Sequence, residues 1–298
     1  MQQRNDWYWH VIAFVTVVIW GSTFISTKIL LMNGLTAAQI FTFRFLIAYI
    51  LMLAFSHDRW WTGSLRDEGL MALLGMTGGS AYFLTENMAL EYSTATNVSL
   101  IVCSCPLFAT IMFCLFFKEI RLTAMQWLGT LLAFLGMVVV VLNGHFVLRL
   151  SPLGDTLALF ACLCWAVYSI VMKFVVGRYS SAFITRKVFF YGLLTILPYH
   201  LLVPESFSWS LLARFPVLFN LLFLGCIASM LCFLTWTWVM RHLGAIRATN
   251  YVYVNPMATL FFATWILDER ITYLFLIGSA MILTGLYLSN KQPTSDQS

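Results

Sequence analysis

The sequence predicts an all-α integral membrane protein, and three observations carry that reading. Of its 298 residues, 61% are hydrophobic and only 10% are charged. The mean hydropathy is +0.85. The apolar residues fall into runs of about 20, the length a helix needs to cross the hydrocarbon core. A water-soluble domain could not hide so much apolar surface, whereas in a bilayer the lipid solvates it.

Taken in order, the expected spans are residues 9–31, 37–55, 69–90, 98–117 and 124–142, then a polar link at 143–152. They continue at 153–175, 183–203, 215–240, 248–267 and 273–289. The eighth is long enough to tilt or bend. The first is expected to be retained rather than cleaved as a leader, because Arg4 is offset by Asp6 and no small-residue cleavage site follows the apolar core.

The distribution of basic residues tests the count of ten. With the N-terminus cytoplasmic, eleven Lys and Arg lie at inner segments: Arg4, Arg59, Arg66, Lys118, Arg121, Arg178, Arg186, Lys187, Arg241, Arg247 and Lys291. Only Arg149, Arg214 and Arg270 lie outside. Such a bias places both termini in the cytoplasm, and one span more or fewer would scramble it. This also explains the net charge of +5 without a nucleic-acid partner. Lys28, Arg44 and Lys173 remain within spans, the two lysines placed to snorkel toward opposite faces.

The halves, 1–145 and 146–298, echo each other. Trp20 and Lys28 match Trp165 and Lys173; Pro106 and Glu119 match Pro256 and Glu269; Gly129 and Gly136 match Gly278 and Gly285. Each half has five spans, so the second copy enters from the opposite side. Ten helices arranged as two inverted five-helix repeats is a common plan of secondary transporters.

At this point the chain resembles the EamA-type transporters of the drug/metabolite transporter superfamily. The likeness rests on Trp20-Gly21-Ser22-Thr23-Phe24, Arg44-Phe45, Asn87 with Ala89-Leu90-Glu91-Tyr92, Pro106, and the repeated pattern of Glu, polar link and paired glycines. It covers about residues 10–290. The second copy has Ala166-Val167 in place of Gly21-Ser22. The resemblance implies a ten-helix bundle that moves small metabolites, often outward.

Candidate site residues are polar or aromatic groups deep in spans, where they are costly unless paired or wetted. Glu86 leads, with Asn87 beside it and Tyr82 one turn earlier; a carboxylic acid in a cavity can carry a proton and suits coupling to a proton gradient. Arg44 cannot lose its charge and is placed either for substrate or for a structural partner. Trp20 and Trp165 lie mid-span rather than at the interfaces where Trp collects. Tyr168, Trp236, Trp238, Tyr251 and Tyr253 are their aromatic neighbours. Ser22 belongs to the first-helix signature. Pro106 and Pro256 each remove a backbone donor, and Asn255 is placed to serve the second notch. With Gly21, the prolines are candidate hinges. Glu119 and Glu269 suit the starts of following helices.

No metal or other cofactor is expected. The seven cysteines lie in apolar runs, and the pairs Cys103/Cys105 and Cys162/Cys164 point to different helix faces. Neither a Walker-type phosphate loop nor H-E-x-x-H is present, so neither ATP hydrolysis nor zinc chemistry is expected. The expectation is therefore a secondary exporter of amino acids or related metabolites in a bacterial inner membrane, with protons as the candidate coupling ion. A passive facilitator or channel, or an integral membrane enzyme, are the alternatives. Substrate identity and oligomeric state lie beyond the sequence.

Overall fold

In lipid, a spanning segment must satisfy its backbone hydrogen bonds internally, which favours helices. The computed structural model describes residues 6–57, 59–93, 95–117, 122–142, 151–267 and 272–290. It is all-helical, with no strand among the described residues. Glu119 and Glu269, with Arg4, Lys118, Arg121, Arg149, Arg270 and Lys291, lie outside them.

The helices are α1 (Asp6–Met32), α2 (Ala37–Phe55), α3 (Leu65–Gly75), α4 (Ala81–Tyr92), α5 (Ala95–Val102), α6 (Cys105–Phe116) and α7 (Ala124–Leu142). They continue as α8 (Pro152–Val175), α9 (Ser181–Leu202), α10 (Phe215–Leu222), α11 (Cys232–Leu243), α12 (Ala245–Asn250), α13 (Asn255–Leu267) and α14 (Tyr273–Asn290). Among the described residues, seven stretches are long and apolar enough to cross a membrane: Trp7–Met32, Ala37–Phe55, Val98–Phe116, Ala124–Leu142, Pro152–Val175, Phe215–Leu243 and Tyr273–Asn290. The three other expected spans are helical but polar or interrupted. The seventh, α9, carries Arg186 and Lys187; the third and ninth are each divided.

The divisions recur at matching places. α3 passes into α4 through a π-helical segment, Met76–Ser80, and α10 into α11 through another, Phe223–Leu231. Gly79 departs from helical geometry there, which only a local widening of the ladder accommodates. α5 stops at Val102 and α6 starts at Cys105, with Pro106 in its first turn. α12 gives way to a 3₁₀ turn, Tyr251–Val254, before α13 starts at Asn255 with Pro256 next. In both places the proline occupies a first turn, where its missing N–H would have no helical partner.

Close packing uses the small residues that the repeat pattern highlights. A Cβ on Gly129 would lie 2.6 Å from the Gly285 carbonyl oxygen, and one on Gly136 2.7 Å from that of Gly278. Without side chains there, α7 and α14 approach backbone to backbone. A Cβ on Gly21 would lie 2.7 Å from Ala258 Cβ and 2.8 Å from the Asn255 oxygen, so this glycine seats α1 against α13. Its counterpart Ala166, on α8, packs in one cluster with Ala109 of α6.

One end of the bundle is tied by charge. Lys187 Nζ meets both oxygens of Glu68 at 2.8 and 3.0 Å, and Glu68 also accepts from Tyr191 Oη at 2.5 Å and from the Thr62 N–H at 2.9 Å. Asp67 accepts from Arg178 and from Tyr179 Oη. Arg186 donates to the carbonyls of Ser56 and Arg59. These contacts fasten the start of α3, with Ser56, Arg59 and Thr62, to α9 and the turn before it. At the other end Thr36 caps α2, and Gln39 Nε2 donates to the Ser206 carbonyl at 3.1 Å. Lys28 and Lys173 are both exposed.

Candidate functional site

Tyr82, Phe83 and Glu86 share a face of α4 by helical periodicity, and the π segment below it sets where that face points. It faces Arg44 of α2, Trp20 of α1 and Trp165 of α8 across a narrow internal cavity of about 30 Å³, room for a water or two. Both helix breaks open onto it: Val102 and Cys105 from one, Val252 and Asn255 from the other. Thr23, Phe24 and Phe233 complete the wall.

Arg44 is 2% exposed, yet no carboxylate is paired with it within ion-pair distance among the described residues. Its Nε donates to Ser229 Oγ at 2.9 Å. Its guanidinium carbon lies 4.1 Å from the centre of the Phe83 ring. These two contacts fix the plane of the guanidinium, a geometry suited to gripping a carboxylate with two parallel hydrogen bonds. Glu86 lines the same space and accepts from Tyr82 Oη at 2.9 Å. Asn255 Oδ1 is buried without a hydrogen-bond partner, a cost that a ligand donor would relieve.

Aromatic rings form the rest of the wall. Trp20 and Trp165 meet edge to face, their ring centres 5.4 Å apart. Phe233 lies between them and Phe83. Trp20 Nε1 donates to the Ala228 carbonyl at 2.9 Å, tying α1 to the second π segment.

Of the candidates read from sequence, Trp20, Arg44, Tyr82, Glu86, Trp165 and Asn255 converge on this cavity. The others lie elsewhere. Asn87 is buried and donates to the Ala37 carbonyl at 3.3 Å, joining α4 to α2. Ser22 donates to the Ile19 carbonyl within its own helix. Tyr168 packs its ring over Gly78, and Trp236 is buried behind Trp20. Tyr251 hydrogen-bonds His10 at 2.6 Å in a separate pocket, Tyr253 is buried beside Phe134, and Trp238 is exposed. Sequence reasoning missed Phe83, Phe233 and Ser229. The helical spacing from Glu86 could have found Phe83, but nothing local distinguishes Phe233 or Ser229 from ordinary packing residues.

The pattern of the EamA-like transporter family matches residues 7–142 and again 152–291. The chain belongs to the EamA-like transporter family. It is a multi-pass membrane protein. It is 26% identical over 290 residues to an uncharacterized transporter of Archaeoglobus fulgidus, covering 94% of this chain and 96% of the relative. It is 27% identical to a protein of Streptantibioticus cattleyicolor named as a probable terminal-alkyne amino-acid exporter, covering 93% and 92%. A protein of Escherichia coli named as a probable amino-acid metabolite efflux pump is 25% identical, covering 94% and 93%. A solved crystal structure superposes with a TM-score of 0.73 at 18% identity, covering 94% of this chain and 96% of that one, a likeness of fold alone.

Proposed function

We propose that this EamA-like transporter is a secondary exporter of amino acids or related metabolites, working by alternating access around the cavity of Arg44, Glu86 and Asn255. The observation that carries the reading is the meeting of these three groups in one enclosed space between two broken helices. An amino acid brings one charge of each sign. The cavity here holds only a water or two, so the substrate enters a more open state of the alternating cycle. There its carboxylate suits the fork of Arg44, and its ammonium suits Glu86 and the unpartnered Asn255 Oδ1. The first residues of α6 and α13 line the same space, so their positive helix ends add to the attraction for an anionic group. Relatives named for amino-acid export support the substrate class.

The architecture of this proposal is ten spans in two inverted repeats, 1–145 and 146–298, with both termini in the cytoplasm of a bacterial inner membrane. The double match of the family pattern supports it, as do the mirrored π segments and helix breaks. The contacts of α7 with α14 support it further, since Gly129 meets Gly285 while its repeat mate Gly278 meets Gly136. An in-plane two-fold axis produces such reciprocal pairs. In this reading Pro106 and Pro256 mark the points where the broken spans flex, and Glu86 carries the coupling proton. Gly21 belongs to the seat of α1 on α13.

The test is counterflow in proteoliposomes with a panel of labelled amino acids, repeated with an imposed pH gradient. Saturable exchange of one class of amino acid is expected. Glu86→Gln should weaken exchange, because Glu86 also meets the ammonium, and should abolish the response to the pH gradient. Silence across the panel from folded protein would overturn the substrate class, and an unaltered response of Glu86→Gln to the gradient would remove the proton role.

A further inference from the structure

A second pocket, of about 270 Å³, lies at the end of the bundle that carries Lys173, away from the central cavity. It is enclosed by the starts of α7 and α12, the ends of α8 and α14, and α6. Its polar lining is rich in donors. Lys173 and Arg247 both line it, and among the described residues neither is ion-paired and no acidic side chain lines it. Lys173 Nζ instead rests 3.6 Å from the centre of the Phe117 ring, which holds the ammonium in place without neutralising it. Gln126, 9% exposed, lines it and has its Oε1 engaged by the Thr123 N–H at 2.9 Å, so its amide NH₂ is the group left to meet a ligand. Asn250, 1% exposed, has a buried Oδ1 with no hydrogen-bond partner.

We infer that this pocket is a binding site for a phosphate group. Two cations with no ion pair among the described residues, and an amide, line a space large enough for a phosphate with a short polar substituent, and no acidic side chain lines it among the described residues. A hydroxyl or ammonium on that substituent would satisfy Asn250 Oδ1. The site lies among helix ends, at the level of lipid head groups, and the basic-residue bias puts this end on the cytoplasmic side. Basic pockets between spanning helices on that side commonly hold anionic head groups. A phospholipid head or free phosphate would each supply the chemistry.

The test uses the full chain, purified in detergent and stripped of lipid. Its melting temperature is followed in separate titrations with phosphatidylglycerol, inorganic phosphate, and diacylglycerol, which lacks phosphate. Stabilisation by phosphatidylglycerol beyond diacylglycerol identifies a lipid head. Stabilisation by inorganic phosphate identifies a soluble source. Lys173→Gln and Arg247→Gln should each weaken the effective ligand about fivefold. The proposal is overturned if phosphatidylglycerol and diacylglycerol act alike while phosphate is inert, or if both variants respond as the parent does. Should a variant fail to fold, the three titrations on the parent chain decide.

Discussion

Trp20 and Trp165 meet edge to face with ring centres 5.4 Å apart, yet only Trp20 has a hydrogen-bond partner for its indole N–H. They stand at matching places in the two echoing halves of the sequence, and the difference lies in what surrounds each. Trp20 Nε1 reaches the Ala228 carbonyl in the second π segment, a backbone group that the widened helix leaves accessible. Trp165 Nε1 is buried and unpartnered. Trp20→Phe therefore removes a hydrogen bond as well as ring area, whereas Trp165→Phe removes ring area and relieves an unmet donor. Thermal melts should show Trp20→Phe to be the more destabilising by about 1 kcal/mol. Equal losses would mean that the Ala228 contact contributes nothing.

Arg44 is held in plane by Ser229 and Phe83, and that orientation makes its own prediction. Arg44→Lys keeps the charge but loses the fork, and should raise KM for a carboxylate-bearing substrate by about ten- to a hundredfold. Ser229→Ala keeps both charge and fork but frees the guanidinium to turn, and should raise KM by about fivefold. Initial counterflow rates across a concentration series would measure both. An unchanged KM in Arg44→Lys would remove Arg44 from the substrate site.

Much of this was legible in the sequence because membrane chemistry leaves few choices. Arg44 and Glu86 stood out since a charged group deep in an apolar run is costly without a purpose. Trp20, Trp165 and the prolines stood out because they recur. Phe233 did not, since a phenylalanine in an apolar span carries no local mark of facing a cavity. Ser229 was hidden for a similar reason, as its value comes from Arg44 on a helix 185 residues away. The π segments were also invisible: Met76–Ser80 has two glycines, but Phe223–Leu231 reads as an ordinary apolar helix. Asn87 and Tyr251 misled for the opposite reason. Their polar atoms are used to join helices, through the Ala37 carbonyl and His10, rather than to face the cavity.

The paired glycines of α7 and α14 carry a packing prediction. A Cβ on Gly136 would sit 2.7 Å from the Gly278 oxygen, and one on Gly285 would sit 2.5 Å from the Ala133 nitrogen. Both neighbours are backbone and cannot move aside alone. Gly136→Ala and Gly285→Ala should each cost about 1–3 kcal/mol through overpacking. Gly69 in α3 is the control, because a Cβ there meets nothing within 4 Å. Gly69→Ala should stabilise by up to about 1 kcal/mol through helix propensity alone. If all three shift the melting temperature alike, the close approach of α7 and α14 is not what these glycines serve.

Glu68 and Lys187 carry the last prediction, at the end of the bundle just before the apolar run of the third span. Burial works against the charge of Glu68, but the hydrogen bonds from Lys187, Tyr191 and the Thr62 N–H outweigh it and hold the carboxyl below its ordinary range. A group depressed in this way contributes stability above its unfolded value, about 4.3 for glutamate. That contribution is lost as pH falls through the lower folded value. The melting temperature of the parent should therefore drop between about pH 4 and more acid conditions, and Glu68→Gln should flatten that part of the profile. Lys187→Met strands a buried carboxylate and should cost about 3 kcal/mol at neutral pH. The double variant, which strands no charge, should regain most of that loss. If the double variant is as unstable as Lys187→Met, the pair is not the source of the stability, and the start of α3 must be held instead by Asp67 through Arg178 and Tyr179.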